Sequence, residues 1–293
     1  MRRKLAITFF CTGTALLLAS CDAKDDSNTD HPDQGQITLT TDWPERTAGV
    51  EIPANYTVTV GYYSTTVTHT TNTLEQLFEP DDYHLRVYNT PEHISVDGAT
   101  ATVEEATGNV DGVGKFVQAM PGWLFTSTLD ATIEADTDYE LTATMHQQVR
   151  QLTLLITPTG DAMDRIEHIE GYLSGAASTL DMDNGTHGTP LNTALTFTKV
   201  SDGDNVGKWT ATMRLLGVAG GQQKLNTRIS FTDGAPQSIG LDSDLSADLA
   251  TFNADKTIPL TLEGKLVETQ TGAEATATIT GWTVQEEKDI ELH

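Results

Sequence analysis

Few residues in this chain have the type and spacing for chemistry, and most of those miss the pattern that the chemistry needs. Acyl transfer would use a nucleophile elbow, but GYLSG (residues 171–175) lacks the GxSxG spacing and no helix pattern follows it. Phosphate binding would use a P-loop, yet GNVDGVGKF (108–116) has five residues between Gly108 and Gly114 where four are required, and Phe116 stands where a Ser or Thr would hold magnesium. The eight histidines are scattered without an HExxH helix, and His168, Ile169 and Glu170 read as a solvated helix face. Two acidic turns, DMDNG (Asp181 to Gly185) and SDGDN (201–205), offer oxygens to calcium. Neither completes the twelve-residue loop with its distal Glu, and Asp, Asn and Gly are what any turn demands. The sequence is therefore read as holding no catalytic residue, no metal ligand set and no cofactor site. Trp123 and Phe125 in PGWLFTS form the one pair that would suit an exposed glycan platform, although large aromatics in a strand-rich chain mostly fill cores.

Cys21 is different. It stands in LLLASCDAKDDSN (16–28), where an apolar run stops at a cysteine and gives way at once to charge. Upstream, MRRK is a positive n-region and the 14 residues Leu5 to Leu18 are almost wholly apolar. That run falls short of the roughly 20 residues that span a bilayer, so residues 1–20 are expected to be an export signal. Leu18, Ala19, Ser20 and Cys21 resemble the bacterial lipobox, in which cleavage before the cysteine leaves it to carry acyl chains such as palmitate. Each buried methylene contributes about 0.8 kcal/mol, so one chain binds marginally and several hold firmly. With Cys21 acylated and Cys11 lost with the signal, no intrachain disulfide is possible, and packing alone must stabilise the fold.

Charge narrows the partners. Removing residues 1–20 takes away Arg2, Arg3 and Lys4 and lowers the formal charge from −25 to −28. Such a surface repels phosphate backbones and anionic lipid, which excludes nucleic acid. Residues 21–36 have no hydrophobic periodicity and read as a disordered acidic tether.

From Ile37 onward short Thr-rich segments alternate apolar and polar residues between Gly, Pro, Asn and Asp, the pattern of half-buried strands. Expected strands are 37–43, 56–63, 84–89, 99–103 and 139–145, then 152–156, 194–200, 209–216, 227–232, 257–267 and 275–284. Helical turns are expected only at TLEQLF (73–78) and DAMDRIEHIEG (161–171). The class is all-β, as sandwiches more than one barrel. A restart at VRQLTLLI places a boundary near His146, giving an N-terminal β-sandwich domain at 37–146 and a C-terminal one at 147–293.

Several fragments resemble a known family: DYHLRVYNTPEHISVDG (82–98), GYLSGAASTLDM (171–182), RLLGVAGGQQKLNTRISFTDG (214–234) and ITGWTV (279–284). With the lipobox and tether, they are similar in order and spacing to fimbrial subunits of the Bacteroidales, the type V pilus system, in its anchor or accessory branch. The resemblance implies two tandem transthyretin-like domains and a non-catalytic role in fimbria assembly and cell adhesion. Lys24, Asp25 and Asp26 look like the tag that sends such lipoproteins to the outer face of the outer membrane. Partners would be other fimbrial subunits, by β-strand complementation, and the outer membrane through lipidated Cys21. In the family, stalk subunits lose their first strand by cleavage after an arginine, whereas anchor subunits keep strand and lipid and end the fibre. Arg46 lies near that cleavage position and is read as a solvated loop residue, since the TDW start looks like the anchor branch. The alternative is a surface glycan-binding lipoprotein of a polysaccharide-capture system, whose binding would depend on Trp123.

Overall fold

The computed structural model describes residues 29–110, 113–160, 164–234, 236–271 and 274–285. Cys21 and Lys24 to Asp26 lie outside the described residues. Those described form an all-β structure of several sheets, without an α-helix among them.

The first eight-residue strand, β1 (Gly35–Asp42), is followed by β2 (Tyr56–Val60), β3 (Tyr63–Val67), β4 (Thr71–Thr73) and β5 (Asp81–Tyr88). Four short strands come next: β6 (Ile94–Asp97), β7 (Thr100–Val103), β8 (Glu105–Ala106) and β9 (Phe116–Val117). Then β10 (Phe125–Ile133), β11 (Thr137–Thr144) and β12 (His146–Gln147) complete two sheets, ordered β11-β1-β4 and β12-β10-β5-β2-β3. Both sheets contribute to one buried cluster that includes Ile37, Leu39, Val58, Leu85, Phe125 and Ala143.

The rest of the chain forms β13 (Arg150–Thr159), β14 (Ile166–Asp181), β15 (Thr186–Lys199), β16 (Trp209–Leu215), β17 (Lys224–Phe231), β18 (Ser238–Asp244), β19 (Leu260–Thr271) and β20 (Glu274–Gln285). Their order is β18-β17-β14-β15-β16-β13-β19-β20, around a second buried cluster. The short strands β6 to β9 do not stay with the first core. β7 pairs with β14 and β9 with β15, and Ile94, Ala101, Val103 and Val117 enter the second core.

Period-two alternation explains most of these elements. In β1 the buried positions are Gly35, Ile37, Leu39 and Thr41, with half-buried Gln36, Thr38 and Thr40 between them. One face therefore meets the core while threonine hydroxyls meet their counterparts across the strand pair.

Three expectations are corrected. The 56–63 strand is a hairpin, broken at Gly61, whose φ of 57° suits a tight turn. TLEQLF is no helical turn: Leu74 and Phe78, four apart, are buried from an extended loop that closes the first core. Beyond 163, the second proposed turn is the start of β14, where Ile166 and Ile169 fall three apart across a register shift. His168 accordingly lies on a strand, 3.4 Å from Glu170.

Candidate assembly site

The first strand is the element on which a fibre-forming role turns, and here it is fully seated. β1 runs parallel to β11, from Gly35 opposite Thr137 to Asp42 opposite Thr144, and antiparallel to β4 on its other side. Ile37 and Leu39 are wholly buried. On the other face Thr38 and Thr40 meet Thr73 and Thr71 at 2.9 Å each. The chain entering the strand is held as well. Thr29 donates its N–H and hydroxyl to Asp136 at 2.6 and 2.8 Å, and His31 meets Gln34 O at 2.8 Å and Asp138 at 2.9 Å. These acceptors hold the His31 pKa above its ordinary value, the Gln34 carbonyl contributing most. Residues 29–36 of the 21–36 segment expected to be tether are thus held by the body of the protein.

The exit from β1 is also fixed. Arg46 is half-buried rather than solvated, its guanidinium donating to Val50 O at 3.2 Å and Trp43 O at 3.4 Å, both within its own loop. The next residue, Thr47, is buried: its N–H donates to Gln147 Oε1 at 2.9 Å and its hydroxyl to Thr257 O at 2.8 Å. Gln147 Nε2 lies within hydrogen-bond distance of Thr47 Oγ1 (2.9 Å), Val149 O (2.8 Å) and Lys256 O (2.6 Å). One buried amide therefore ties the loop after β1 to the start of β13 and to the segment before β19. Pro44, Glu45, Ala48 and Gly49 are exposed, but the Arg46 side chain and the buried Thr47 are tied down between them, which withholds the Arg46–Thr47 bond from the extended fit that a protease needs.

A further ionic contact joins the cores. Arg86 on β5 forms a bidentate pair with Asp183 in the β14–β15 turn, and His84 bridges Asp183 and Asp130. Hydrogen bonding to Arg86 holds the Asp183 carboxyl down at about 2, and His84 is raised chiefly by Asp130. Deeper in, the Lys256 amine reaches Gln148 Oε1 at 3.0 Å, His187 Nε2 at 2.8 Å and Leu216 O at 3.3 Å. Burial pushes Lys256 down to about 7, and burial followed by the Lys256 charge pushes His187 down to about 4. Gln147, Thr47 and Lys256 are single polar residues without a motif, so nothing in the sequence marked them, whereas Asp183 was marked only as part of the DMDNG turn.

The motif-like segments serve the backbone. GYLSG lies within β14: a Cβ on Gly171 would meet the Asn226 carbonyl oxygen at 1.9 Å, and Gly175 has φ of 76° at the bulge between Leu173 and Ala176. In GNVDGVGKF, Phe116 is a core residue of β9 whose ring meets Tyr172 edge-on at 5.8 Å. Asp181 in DMDNG accepts from the backbone N–H of Asp183 and from Asn184 Nδ2, which makes it a turn clasp, while Asp183 is engaged by Arg86 and His84. SDGDN forms the turn between β15 and β16. The glycan platform is corrected: Phe125 is wholly buried, and Trp123 packs against both cores with the Arg214 guanidinium 5.2 Å over its ring.

Solved structures share this fold at low identity. A candidate adhesin from Bacteroides ovatus is similar over 78% of this chain and 88% of its own, with a TM-score of 0.60 and 16% identity. The fimbrial anchor protein Mfa2 from Porphyromonas gingivalis is similar over 86% of this chain and 97% of its own, with a TM-score of 0.53 and 12% identity. A candidate polysaccharide-binding protein from Bacteroides thetaiotaomicron covers 87% of this chain and 99% of its own, with a TM-score of 0.53 and 10% identity. No curated protein sequence matches the chain. The family profile of fimbrillin-A associated anchor proteins Mfa1 and Mfa2 matches residues 81–288, well over half of the chain. The chain therefore belongs to the Mfa2 family of fimbrillin-A associated anchor proteins, non-catalytic fimbrial components of the cell surface.

Proposed function

We propose that this chain is an outer-membrane lipoprotein that ends a fimbria at the cell surface, held by acyl chains on Cys21 and a short acidic tether, and joined to other fimbrial subunits by β-strand complementation. Its body is two tandem transthyretin-like sandwiches divided near His146, with the 94–117 excursion of the first lying on the second. A recurrent pairing supports the tandem reading. β1 lies between an antiparallel strand and a late parallel one, β11, and β13 likewise lies between antiparallel β16 and late parallel β19. No sequence repeat accompanies it.

The observation that carries the terminating role is the seating of β1. A subunit whose own first strand fills its core, and whose Arg46–Thr47 bond is tied down, has no emptied first-strand groove for a neighbour's strand to fill. Lys24, Asp25 and Asp26 support display on the outer face.

The test is the mass of the N-terminus of protein purified from native membranes, together with Cys21→Ala. Expected are a diacyl- or triacylated Cys21 on an otherwise uncut chain, and release of the variant from the membrane fraction. A chain beginning at Thr47, or a Cys21→Ala protein that sediments with the outer membrane as the wild type does, would overturn the reading.

A further inference from the structure

The seating of β1 raises the question of where another subunit's strand could attach. We propose that the free edge of β3 is the docking edge, and that its occupant is an extended strand of a fimbrial subunit, a different polypeptide, with uncharged or basic β-branched residues. This rests on the anchor reading above.

The edge is open and aligned. β3 is the terminal strand of its sheet and pairs only with β2, in the register Val60 opposite Tyr63, Val58 opposite Thr65 and Tyr56 opposite Val67. A two-residue loop, Gly61 and Tyr62, makes Val60 and Tyr63 a hydrogen-bonded pair, and the pattern then alternates along the ladder. Consequently Ser64 and Thr66 turn their N–H and C=O groups away from β2. Their partners in the β2 register, Thr59 and Thr57, spend theirs on β5 opposite Arg86 and Tyr88. Among the described residues, no backbone group bonds the outer edge of β3. A groove of about 420 Å³ lined by Tyr63, Thr65, Val67, Thr71 and Thr73 separates this edge from β4, the free edge of the facing sheet.

Folded proteins protect such edges with charges, bulges, proline or brevity. The other edges here are protected in these ways. β11 carries Asp138 and Glu140, β18 carries Asp242 and Asp244, β6 carries Asp97, and β8 carries Glu105. β20 has a register shift against β19 beside Gly281, at φ of 65°, and β4 and β12 are only three and two residues long. β3 has none of them. Residues 52–74 contain no Asp, Glu, Lys or Arg, in a chain of which 20% is charged. Tyr62, fully exposed at the head of the edge, supplies the kind of aromatic anchor on which interfaces concentrate their affinity.

The occupant's chemistry follows from the two faces. Thr57 opposite Thr66 and Thr59 opposite Ser64 make a hydroxyl ladder on one face that a strand rich in Thr would extend. Half-buried Tyr63 and Val67 on the other would be covered by its apolar residues. A second copy is disfavoured, because a mature chain of formal charge −28 would bring its own flanking Glu75, Glu79, Asp81 and Asp82 against those of its twin.

The test replaces the full-length protein in fimbriated cells by Thr66→Pro, which removes one outward N–H, and in a second strain by Thr66→Lys. A third strain carries a benzophenone side chain at position 66. Expected are fimbriae shed to the medium, with cell-bound fimbriae reduced at least about tenfold at unchanged thermal stability, and a photo-adduct containing a fimbrial subunit. Wild-type retention of fimbriae by both variants would overturn the docking edge while leaving the anchor reading intact. An adduct of two copies of this chain, or none, would overturn the occupant. Cells whose wild-type protein retains no fimbriae would overturn both readings.

Discussion

Arg86 and Asp183, 97 residues apart in sequence, form a two-point ion pair between the five-stranded sheet and the β14–β15 turn, with Nε to Oδ1 and Nη2 to Oδ2 both at 2.6 Å. The pair is partly exposed, which moderates its worth, but its geometry is the bidentate kind that measures above the ordinary surface pair. Like the Gln147 amide, it ties the first half of the described chain to the second.

Asp183→Asn removes the pair's charge while keeping its shape. The expected loss is about 1 kcal/mol at pH 7, read by urea unfolding. The Asp183 pKa lies at about 2 in the fold, below its ordinary 3.8, so the unfolded chain binds the proton more readily. Its contribution is present in full above pH 3.8 and disappears as pH falls through about 2. The difference between wild type and variant should shrink across that window.

Lys256 predicts a slope of the opposite origin. Its pKa of about 7 in the fold lies below 10.5, so the unfolded chain holds more protons between those values and stability rises with pH across them. His187, at about 4 against 6.5, adds a rise between pH 4 and 6.5. Lys256→Met, which keeps the side chain's length, should remove the slope above pH 7. A pH series of urea midpoints in which wild type and variant rise in parallel from pH 7 to 10 would refute it.

Leu39→Ala should cost about 3 kcal/mol, because the side chain is wholly buried in β1 and its removal leaves a cavity. Thr40→Ala, one residue on and half-exposed, should cost less than about 1 kcal/mol. Equal effects in thermal or urea unfolding would mean that β1 is not an integral part of the core.

Gln147→Ala should free the loop after β1 by removing the acceptor of the Thr47 N–H. Native-state trypsin, followed by mass spectrometry, should leave the Arg46–Thr47 bond of the wild type intact and cut it in the variant. Prompt cleavage of the folded wild type at this bond would contradict the structure.

What the sequence by itself determined is which segments are strands and which of their residues face inward. In ITLTTD and WTATMRLL each strand has one covered face, and alternation records that directly. It passed over β3 and β18, edge strands with little buried surface, and it failed where both faces are covered. β10 begins with three consecutive buried residues, Phe125, Thr126 and Ser127, and β14 contains the buried run Ala176 to Ser178 together with glycines that its neighbours require, so neither shows the period.

Only the tertiary structure decided which strands are neighbours. A residue's alternation states that it faces a core, but not which core or beside whom, and strand pairing is made by backbone groups that are alike in every residue. Thus β1 finds β11 about a hundred residues away, β7 and β9 leave the first core for the second, and β3 is left without a partner on its outer side. Gln147, Arg86 with Asp183, and Lys256 acquire their roles in the same way, from folded neighbours that lie far from them in the chain.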